Sequence, residues 1–161
     1  MLEGIALDPK QTFWILTMNL LADSASLEWS MVFGSWNEQT HWTRAVPKAR
    51  HGEVRAALLA ELGFTQAEWK AYRNEIVAYR NEIVAHHDLN VTVAKYPRYD
   101  KAIVAANFMF DILRGIANAD QLGGIPTSLD KWSNTVAGNM SVIVRKAFEA
   151  SASLGSNVPS D

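Results

Sequence analysis

The sequence predicts an all-α protein, a single-domain helical bundle of four long helices plus a short one. The five prolines leave long intervals between them, and apolar residues in these intervals recur with helical rather than alternating spacing. The composition, 48% hydrophobic and 20% charged, is that of a chain that buries a core. We therefore expect one domain over residues 1–161, with its core at about 8–153 and a polar tail at 154–161.

Start and stop signals define the elements of the first half of the chain. Asp8 as the cap and Pro9 in the first turn begin a helix that runs to about Phe33. Residues 34–52 contain glycine and proline without a sustained period, so they predict a long connection. A short helix over residues 53–62 follows and ends before a glycine.

A capping box marks the start of the next long helix. Thr65 and Glu68 have the required spacing, and Phe64 and Trp69 occupy the two positions of a hydrophobic staple. We expect this helix to continue to about His87.

Two further helices complete the predicted bundle. One runs from residue 101 to about 118, after the chain break at YPRYD. A glycine- and proline-containing turn at residues 123–126 follows it. Thr127 or Ser128 then caps a last helix that ends near residue 153.

Composition and motifs exclude several function classes. Without cysteine there is no disulfide, thiolate nucleophile or cysteine zinc site, and four histidines alone do not predict a structural metal cluster. No glycine-rich phosphate loop, HExxH or serine elbow occurs, and we expect no metal and no cofactor. The longest apolar stretch, residues 13–22, is about half of a membrane span. Because this stretch has neither the basic leader nor the small-residue cleavage site of a secretion signal, the sequence predicts a cytoplasmic protein without membrane association. A net charge of −2 and a pI near 6.1 give no overall basic field, so any nucleic-acid contact would come from a local cluster.

The heptad YRNEIVA occurs twice in succession, at residues 72–78 and 79–85. A seven-residue step returns to nearly the same helix face, slipping by about 20°, so an added heptad lengthens a helix without rotating its faces. The repeat is either a tandem duplication without functional content or an extension of a groove or dimer surface.

Arginines fall between two apolar rows of this helix, which together form a wide apolar arc. One row is Trp69, Tyr72, Ile76, Tyr79 and Ile83, and the other is Val77 and Val84. On a helical wheel Arg73, Arg80 and His87 share the position between the two rows. An arginine inside an apolar arc requires a paired carboxylate, an exit to solvent or a cleft. Asp111 and Glu61 are the candidate carboxylates for a structural ion pair.

The second heptad leads directly into two histidines. Arg80 is separated from His86 by five residues and from His87 by six, and Asn81 follows the arginine. This pattern resembles the motif of the HEPN superfamily (higher eukaryotes and prokaryotes nucleotide-binding domains), an arginine, usually followed by a polar residue, with a histidine four to six residues after it. The segments FGSWNEQTHWTRAV, RNEIVAHHDLN and YPRYDKAIVAANFMFDIL are similar to the abortive-infection branch, and the resemblance covers most of residues 33–113.

The resemblance implies a homodimeric, metal-independent endoribonuclease, often a toxin or phage-defence component restrained by an antitoxin or other partner protein. Such RNA cleavage needs a base for the ribose 2′-hydroxyl and a cation for the charge that develops on the phosphate. We expect Arg80 to hold the scissile phosphate through its bidentate fork, and Asn81 to orient the phosphate or the histidine. The resemblance favours His86 as the base, whereas a regular helix puts His87 on the face of Arg80. We favour His86 and keep His87 as the second choice.

Other basic residues are candidates for RNA binding. Arg73 is the equivalent of Arg80 in the first heptad, although no histidine follows it at the motif distance. His41 either lines the same cleft, in a family-like arrangement, or is a structural residue of an aromatic loop. Arg50 belongs to a basic cluster that either guides a phosphate backbone or forms a solvated helix end. The other members of this cluster are Lys48, His51 and Arg55.

Three hypotheses follow. The first is an endoribonuclease that acts as a symmetric dimer, with the two Arg80/His86 sets in one cleft. The second is a non-catalytic module that binds a nucleotide or RNA, and the third is an interaction protein with a structural arginine. The helix that carries Arg80 has a wider apolar arc than one neighbouring helix usually covers. Together with the resemblance, this arc predicts that the helix lies at or beside the dimer interface.

Overall fold

The computed structural model describes residues 9–35, 37–81 and 97–152. Regular structure in these ranges is helical and contains no strand, which confirms the predicted all-α class. The α-helices are α1 (Pro9–Phe33), α2 (Trp42–Ala45), α3 (His51–Leu62), α4 (Gln66–Tyr79), α5 (Asp100–Ile116) and α6 (Leu129–Ala152). Two 3₁₀ turns lie at Lys48–Arg50 and Ala119–Leu122.

The predicted long connection at residues 34–52 is wrong in part, because it contains α2. This helix has four residues, which is too short to produce a recognisable period. Its N-terminus is capped by His41, which is not one of the residue types that sequence rules expect at a cap. α3 begins at His51, two residues earlier than predicted, because the 3₁₀ turn leads directly into it.

The capping box at the start of α4 is confirmed. The backbone N–H of Glu68 donates to Thr65 Oγ1 at 3.3 Å, and the N–H of Thr65 donates to Glu68 Oε2 at 2.7 Å. After Tyr79 the chain continues at Arg80 and Asn81 as a π-helical turn. The predicted end of the helix near His87 lies outside the described residues.

The chain divides into two compact units. The central unit is Asp23–Leu129, and the terminal unit combines Met1–Ala22 with Asp130–Asp161. The prediction of a single domain over residues 1–161 stays a prediction, and the polar tail at 154–161 lies outside the described residues.

An aromatic cluster anchors the core of the central unit. The ring of Trp29 stacks on Phe33 at 4.8 Å between centroids, and both rings contact Trp69 at 5.8 Å. α3 packs against α5. The other buried core side chains come from α2, from Val46 just after it, and from α3, α4 and α5: Trp42, Val46, Val54, Leu58, Leu62, Ile76, Ala102, Ala105 and Met109.

Two tyrosines at equivalent positions of the heptad repeat attach α4 to its neighbours. The Tyr72 hydroxyl donates to the carbonyl of Arg98 and accepts the N–H of Ala102 at 2.8 Å. Burial raises the pKa of Tyr72 to about 12. The Tyr79 hydroxyl donates to Asp23 Oδ1 at 2.6 Å. These bonds keep the tyrosine face of α4 toward its neighbours and so fix the rotation of the helix about its axis.

The terminal unit contains the first part of α1 and most of α6. The ring of Trp14 lies 5.8 Å from Phe148, and its Nε1–H donates to Ser151 Oγ at 3.4 Å. Many large apolar side chains of this unit remain exposed: Phe13, Ile15, Leu16, Met18, Leu20 and Leu21 on α1, and Trp132, Val136, Met140, Val142, Ile143, Val144 and Phe148 on α6. None of the helices in the described ranges combines the length and apolar character that a bilayer crossing requires.

Candidate functional site

Arg80 lies at the C-terminal end of α4. Its side chain is partly buried, and its Nε is fully enclosed but forms no hydrogen bond. Within the described ranges, no carboxylate forms an ion pair with it. The two candidate partners from the sequence, Glu61 and Asp111, instead line a separate cavity on α3 and α5. The structure therefore brings neither acid to Arg80 as an ion-pair partner.

The remaining motif residues follow the end of α4. Asn81 is exposed and lies in the same π-helical turn as Arg80. His86 and His87 lie outside the described residues. The helical wheel that favoured His87 assumes a regular α-helix, and the described chain already departs from α-helical geometry at Arg80. The choice between the two bases therefore remains a prediction.

A cationic cavity of about 310 Å³ lies in the central unit, between the loop after α1, α3 and the first half of α4. Two of the predicted substrate-binding residues, His41 and Arg73, line this cavity together. Arg55 from α3 and Lys70 from α4 add two more basic groups. The remaining lining residues are apolar or neutral: Phe33, Trp42, Thr43, Leu58, Gln66 and Trp69.

The charge of this cavity is unbalanced among the residues described. No lining residue is acidic, and no ion pair of Arg55, Lys70 or Arg73 occurs in the described ranges. Burial, followed by the positive charge of Arg73, lowers the pKa of His41 below its usual 6.5. The cavity is therefore a place where an anion would relieve repulsion between like charges.

His41 is held in a defined orientation. The side chain is 6% exposed, and its Nδ1 lies 2.7 Å from Thr43 Oγ1 and accepts the Thr43 backbone N–H at 3.3 Å. Because Nδ1 is an acceptor, the proton of the neutral ring lies on Nε2. His41 thus caps α2 and also keeps one N–H donor for a ligand, so its structural and binding roles coexist.

Arg50 is not brought into this cavity. Its Nε lies 3.6 Å from Glu53 Oε2, three residues further along the chain, in a largely exposed pair. His51, from the same basic cluster, uses Nε2 to bond the carbonyl of Val46 at 2.8 Å and packs edge-on against Trp42. Of that cluster, only Arg55 lines the cavity.

Lys70 and Gln66 line the cavity although the sequence did not single them out, and the sequence did not connect Arg55 with Arg73. Lys70 and Arg73 are three residues apart on α4 and therefore share a face, which is a signal that the sequence contains. The contributions of the α1–α2 loop and of α3 depend on tertiary packing, so spacing alone does not reveal them.

A larger cavity of about 530 Å³ lies between the C-terminal half of α1 and α5. Its lining is apolar except for the carboxylate of Glu28 and the hydroxyl of Tyr99, and that hydroxyl is bonded to Ser26 at 2.6 Å. It therefore offers one charged group and few hydrogen-bond donors to a ligand, unlike the cationic cavity.

No group of three or more potential ligands of the histidine, aspartate or glutamate type is placed to hold a metal ion in the described ranges.

Comparison of the chain with protein-family models, with curated proteins and with solved structures finds no match.

Proposed function

We propose that the protein is a metal-independent endoribonuclease of HEPN type, in which Arg80 binds the scissile phosphate and His86 is the base. One observation carries this proposal. The Arg80 guanidinium is partly buried without a carboxylate or hydrogen-bond partner for Nε in the described residues, and it lies two turns along α4 from a cavity lined by unpaired cations. An unpaired cation in such a position is unfavourable for stability and suited to an anionic ligand.

The reaction needs only groups of this chain and the RNA. His86 takes the proton of the ribose 2′-hydroxyl, and the 2′-oxygen then attacks the adjacent phosphorus. The bond from phosphorus to the 5′-oxygen breaks, and that oxygen takes up a proton through water in exchange for the one that His86 accepted. The products are a 2′,3′-cyclic phosphate and a 5′-hydroxyl. Arg80 stabilises the charge on the phosphate oxygens through paired N–H donors, and the exposed Asn81 orients the phosphate.

We also propose that the active form is a two-fold homodimer assembled through the terminal unit. Thirteen large apolar side chains of this unit, on α1 and α6, are between 37% and 66% exposed. At roughly half of an aromatic side chain's area each, they expose on the order of 1,000 Å². This total is comparable with the area that each partner of a stable complex buries, about 800 Å².

The occupant of this surface is a second copy of the chain. The polar face of α6 carries acidic and basic residues together, with Lys131, Arg145 and Lys146 beside Asp130 and Glu149, which does not favour an anionic membrane surface. Three large apolar residues of α4 are buried within its own chain, Trp69, Ile76 and Tyr79, and two more, Tyr72 and Val77, are partly buried. The apolar arc that led us to expect α4 at or beside the interface is therefore mostly covered in the described part of that helix, so we assign the larger share of the interface to the terminal unit.

Location and regulation follow from this proposal. A ribonuclease of this kind acts in the cytoplasm, where its RNA substrate is. An antitoxin or other regulatory partner would restrain it by covering Arg80 or the cationic cavity, which is the type of control that the family resemblance implies.

A non-catalytic RNA- or nucleotide-binding module is the second candidate. The specific observation in its favour is that the cationic cavity is built from residues 33–73 and needs neither His86 nor His87. Binding of RNA without cleavage would be expected from this cavity alone.

Cleavage rates of single variants distinguish the two functions. Arg80→Ala and His86→Ala are each expected to lower the rate of RNA cleavage by about two to four orders of magnitude, because each removes one charge stabiliser or one base. Arg80→Lys should also be slow, since an ammonium does not reproduce the bidentate fork. Arg145→Ala, which removes an exposed arginine on α6, is the matched control and should keep the full rate.

The two histidine variants test which histidine is the base. His87→Ala is expected to be intermediate, as for a residue that supports His86. Full activity of His86→Ala with none in His87→Ala would exchange the two assignments. Cleavage that persists in both histidine variants would exclude the proposed mechanism.

A further inference from the structure

We propose that the cationic cavity is a second phosphate subsite, in which Arg73 binds a phosphodiester group of the RNA strand that Arg80 holds at the scissile position. The inference rests on the proposed function for the role of Arg80. The evidence for the subsite itself comes from the cavity and from the heptad repeat.

The residues that line the cavity favour an anion. Arg55, Lys70 and Arg73 supply three cations, and no carboxylate lines the cavity or pairs with them in the described ranges. Arg55 and Lys70 are exposed, whereas Arg73 is partly buried, so a phosphate can approach from solvent and reach Arg73 at depth. The amide of Gln66 and the Nε2–H of His41 add neutral hydrogen-bond donors, whereas the hydroxyl of Thr43 already donates to His41 Nδ1.

The ligand group is a phosphate rather than a base. Trp42 and Trp69 line the cavity, but they are only 6% and 7% exposed, so neither ring offers an open face for stacking. At about 310 Å³ the cavity is at the small end of ligand sites. Contacts to the backbone alone carry no sequence information, so this subsite positions the strand without selecting bases.

The heptad repeat sets the distance between the two subsites. Arg73 and Arg80 are the same residue of consecutive heptads, two turns apart on one helix face, which corresponds to about 10 Å along the axis. Because a single-stranded backbone presents phosphates at regular intervals, a strand lying along α4 can contact both arginines. The repeat thus acquires a function that neither copy has alone.

RNA binding measured without cleavage tests the subsite. Fluorescence anisotropy with a short 2′-O-methyl RNA is suitable, because this probe lacks the nucleophilic hydroxyl but keeps the phosphates. Arg73→Ala should weaken binding about ten-fold, the usual loss for a charge-assisted hydrogen bond. It should also reduce the salt dependence of log K by about 0.7, which corresponds to one phosphate contact on a single strand.

Further variants protect the test against misfolding. Arg55→Gln and Lys70→Gln replace exposed side chains, and each should weaken binding and lower the salt dependence in the same direction. Arg145→Ala removes the same charge as Arg73→Ala from outside the cavity and should leave both quantities unchanged.

The outcomes separate this subsite from the proposed function. If Arg73→Ala, Arg55→Gln and Lys70→Gln all bind the probe like wild type, the subsite is excluded, even when Arg80 and His86 prove essential for cleavage. The same conclusion follows if the wild-type protein does not bind the probe. If the cavity variants lose binding and no protein cleaves RNA, the subsite stands and the nuclease proposal fails.

Discussion

Replacement of Arg80 by methionine is expected to stabilise the protein while abolishing RNA cleavage. Arg80 Nε is enclosed without a hydrogen-bond partner, and within the described ranges no carboxylate compensates the guanidinium charge. Methionine keeps most of the length and the apolar stem contacts of arginine but carries no buried polar atom. The substitution therefore removes an unfavourable term from the folded state.

The magnitude follows from the burial of the side chain. A buried polar group without a partner costs about 1–3 kcal/mol. Because Arg80 is only partly buried, the lower end of this range applies, and we expect the free energy of unfolding to rise by about 1 kcal/mol. For a protein of this size the corresponding increase in Tm is about 2–4 °C.

Thermal unfolding followed by circular dichroism, together with urea denaturation, measures this change. Arg145→Met, at an exposed position of α6, is the control and should alter the stability by less than about 0.5 kcal/mol. A loss of stability of about 1 kcal/mol or more in Arg80→Met would refute the reasoning. It would mean that Arg80 forms a stabilising ion pair, as the structural-arginine hypothesis requires.

Three further predictions concern the repeat, the pH dependence and the assembly. Deletion of residues 72–78 leaves the same sequence as deletion of 79–85, so the remaining heptad can keep the contacts of either copy; cooperative unfolding by circular dichroism should survive. Burial and Arg73 lower the pKa of His41 below 6.5, so the unfolded chain takes up the additional proton. Urea denaturation should show stability falling as pH drops below 6.5, and a smaller fall in His41→Gln. Trp132→Glu combined with Ile143→Glu places charges on the exposed apolar face of α6, and sedimentation should show a dimer for wild type and a monomer for the variant.

Local signals in the sequence predict several elements of the fold. Pro9 marks the first turn of α1, and the capping box of Thr65 and Glu68 starts α4, because both signals act within one turn of helix. The four residues of α2 escaped prediction because a helix of one turn has no period and its cap is a histidine. The start of a helix is thus predictable where its cap is one of the common residue types and the helix is longer than one turn.

The site is predictable only in part, because tertiary packing brings its residues together. His41 and Arg73 were candidates from the sequence, but their meeting in one cavity depends on how the α1–α2 loop packs against α3 and α4. Arg50 was a candidate because of its charge, yet Glu53 three residues later already provides a partner. A carboxylate three residues from an arginine is thus a signal in the sequence against a free binding group.

The sequence also does not predict which helices keep their apolar faces exposed. The periodic apolar residues of α6 predict an amphipathic helix but do not say what covers it. In the central unit α4 buries its apolar face in the core, whereas the terminal unit leaves most of its large apolar side chains exposed. A similar apolar pattern is therefore buried in one helix and exposed in another, and the difference depends on tertiary packing.

The central claim, metal-independent cleavage through the ribose 2′-hydroxyl, is tested most directly by the ends of the RNA fragments formed in EDTA. Purified protein is incubated with RNA in excess chelator, and the 3′ ends of the products are identified, with Arg80→Ala as the matched inactive control. The proposed mechanism predicts cleavage that persists in EDTA and fragments that end in 2′,3′-cyclic phosphate. Cleavage that requires a divalent metal, or fragments that end in a 3′-hydroxyl, would contradict it.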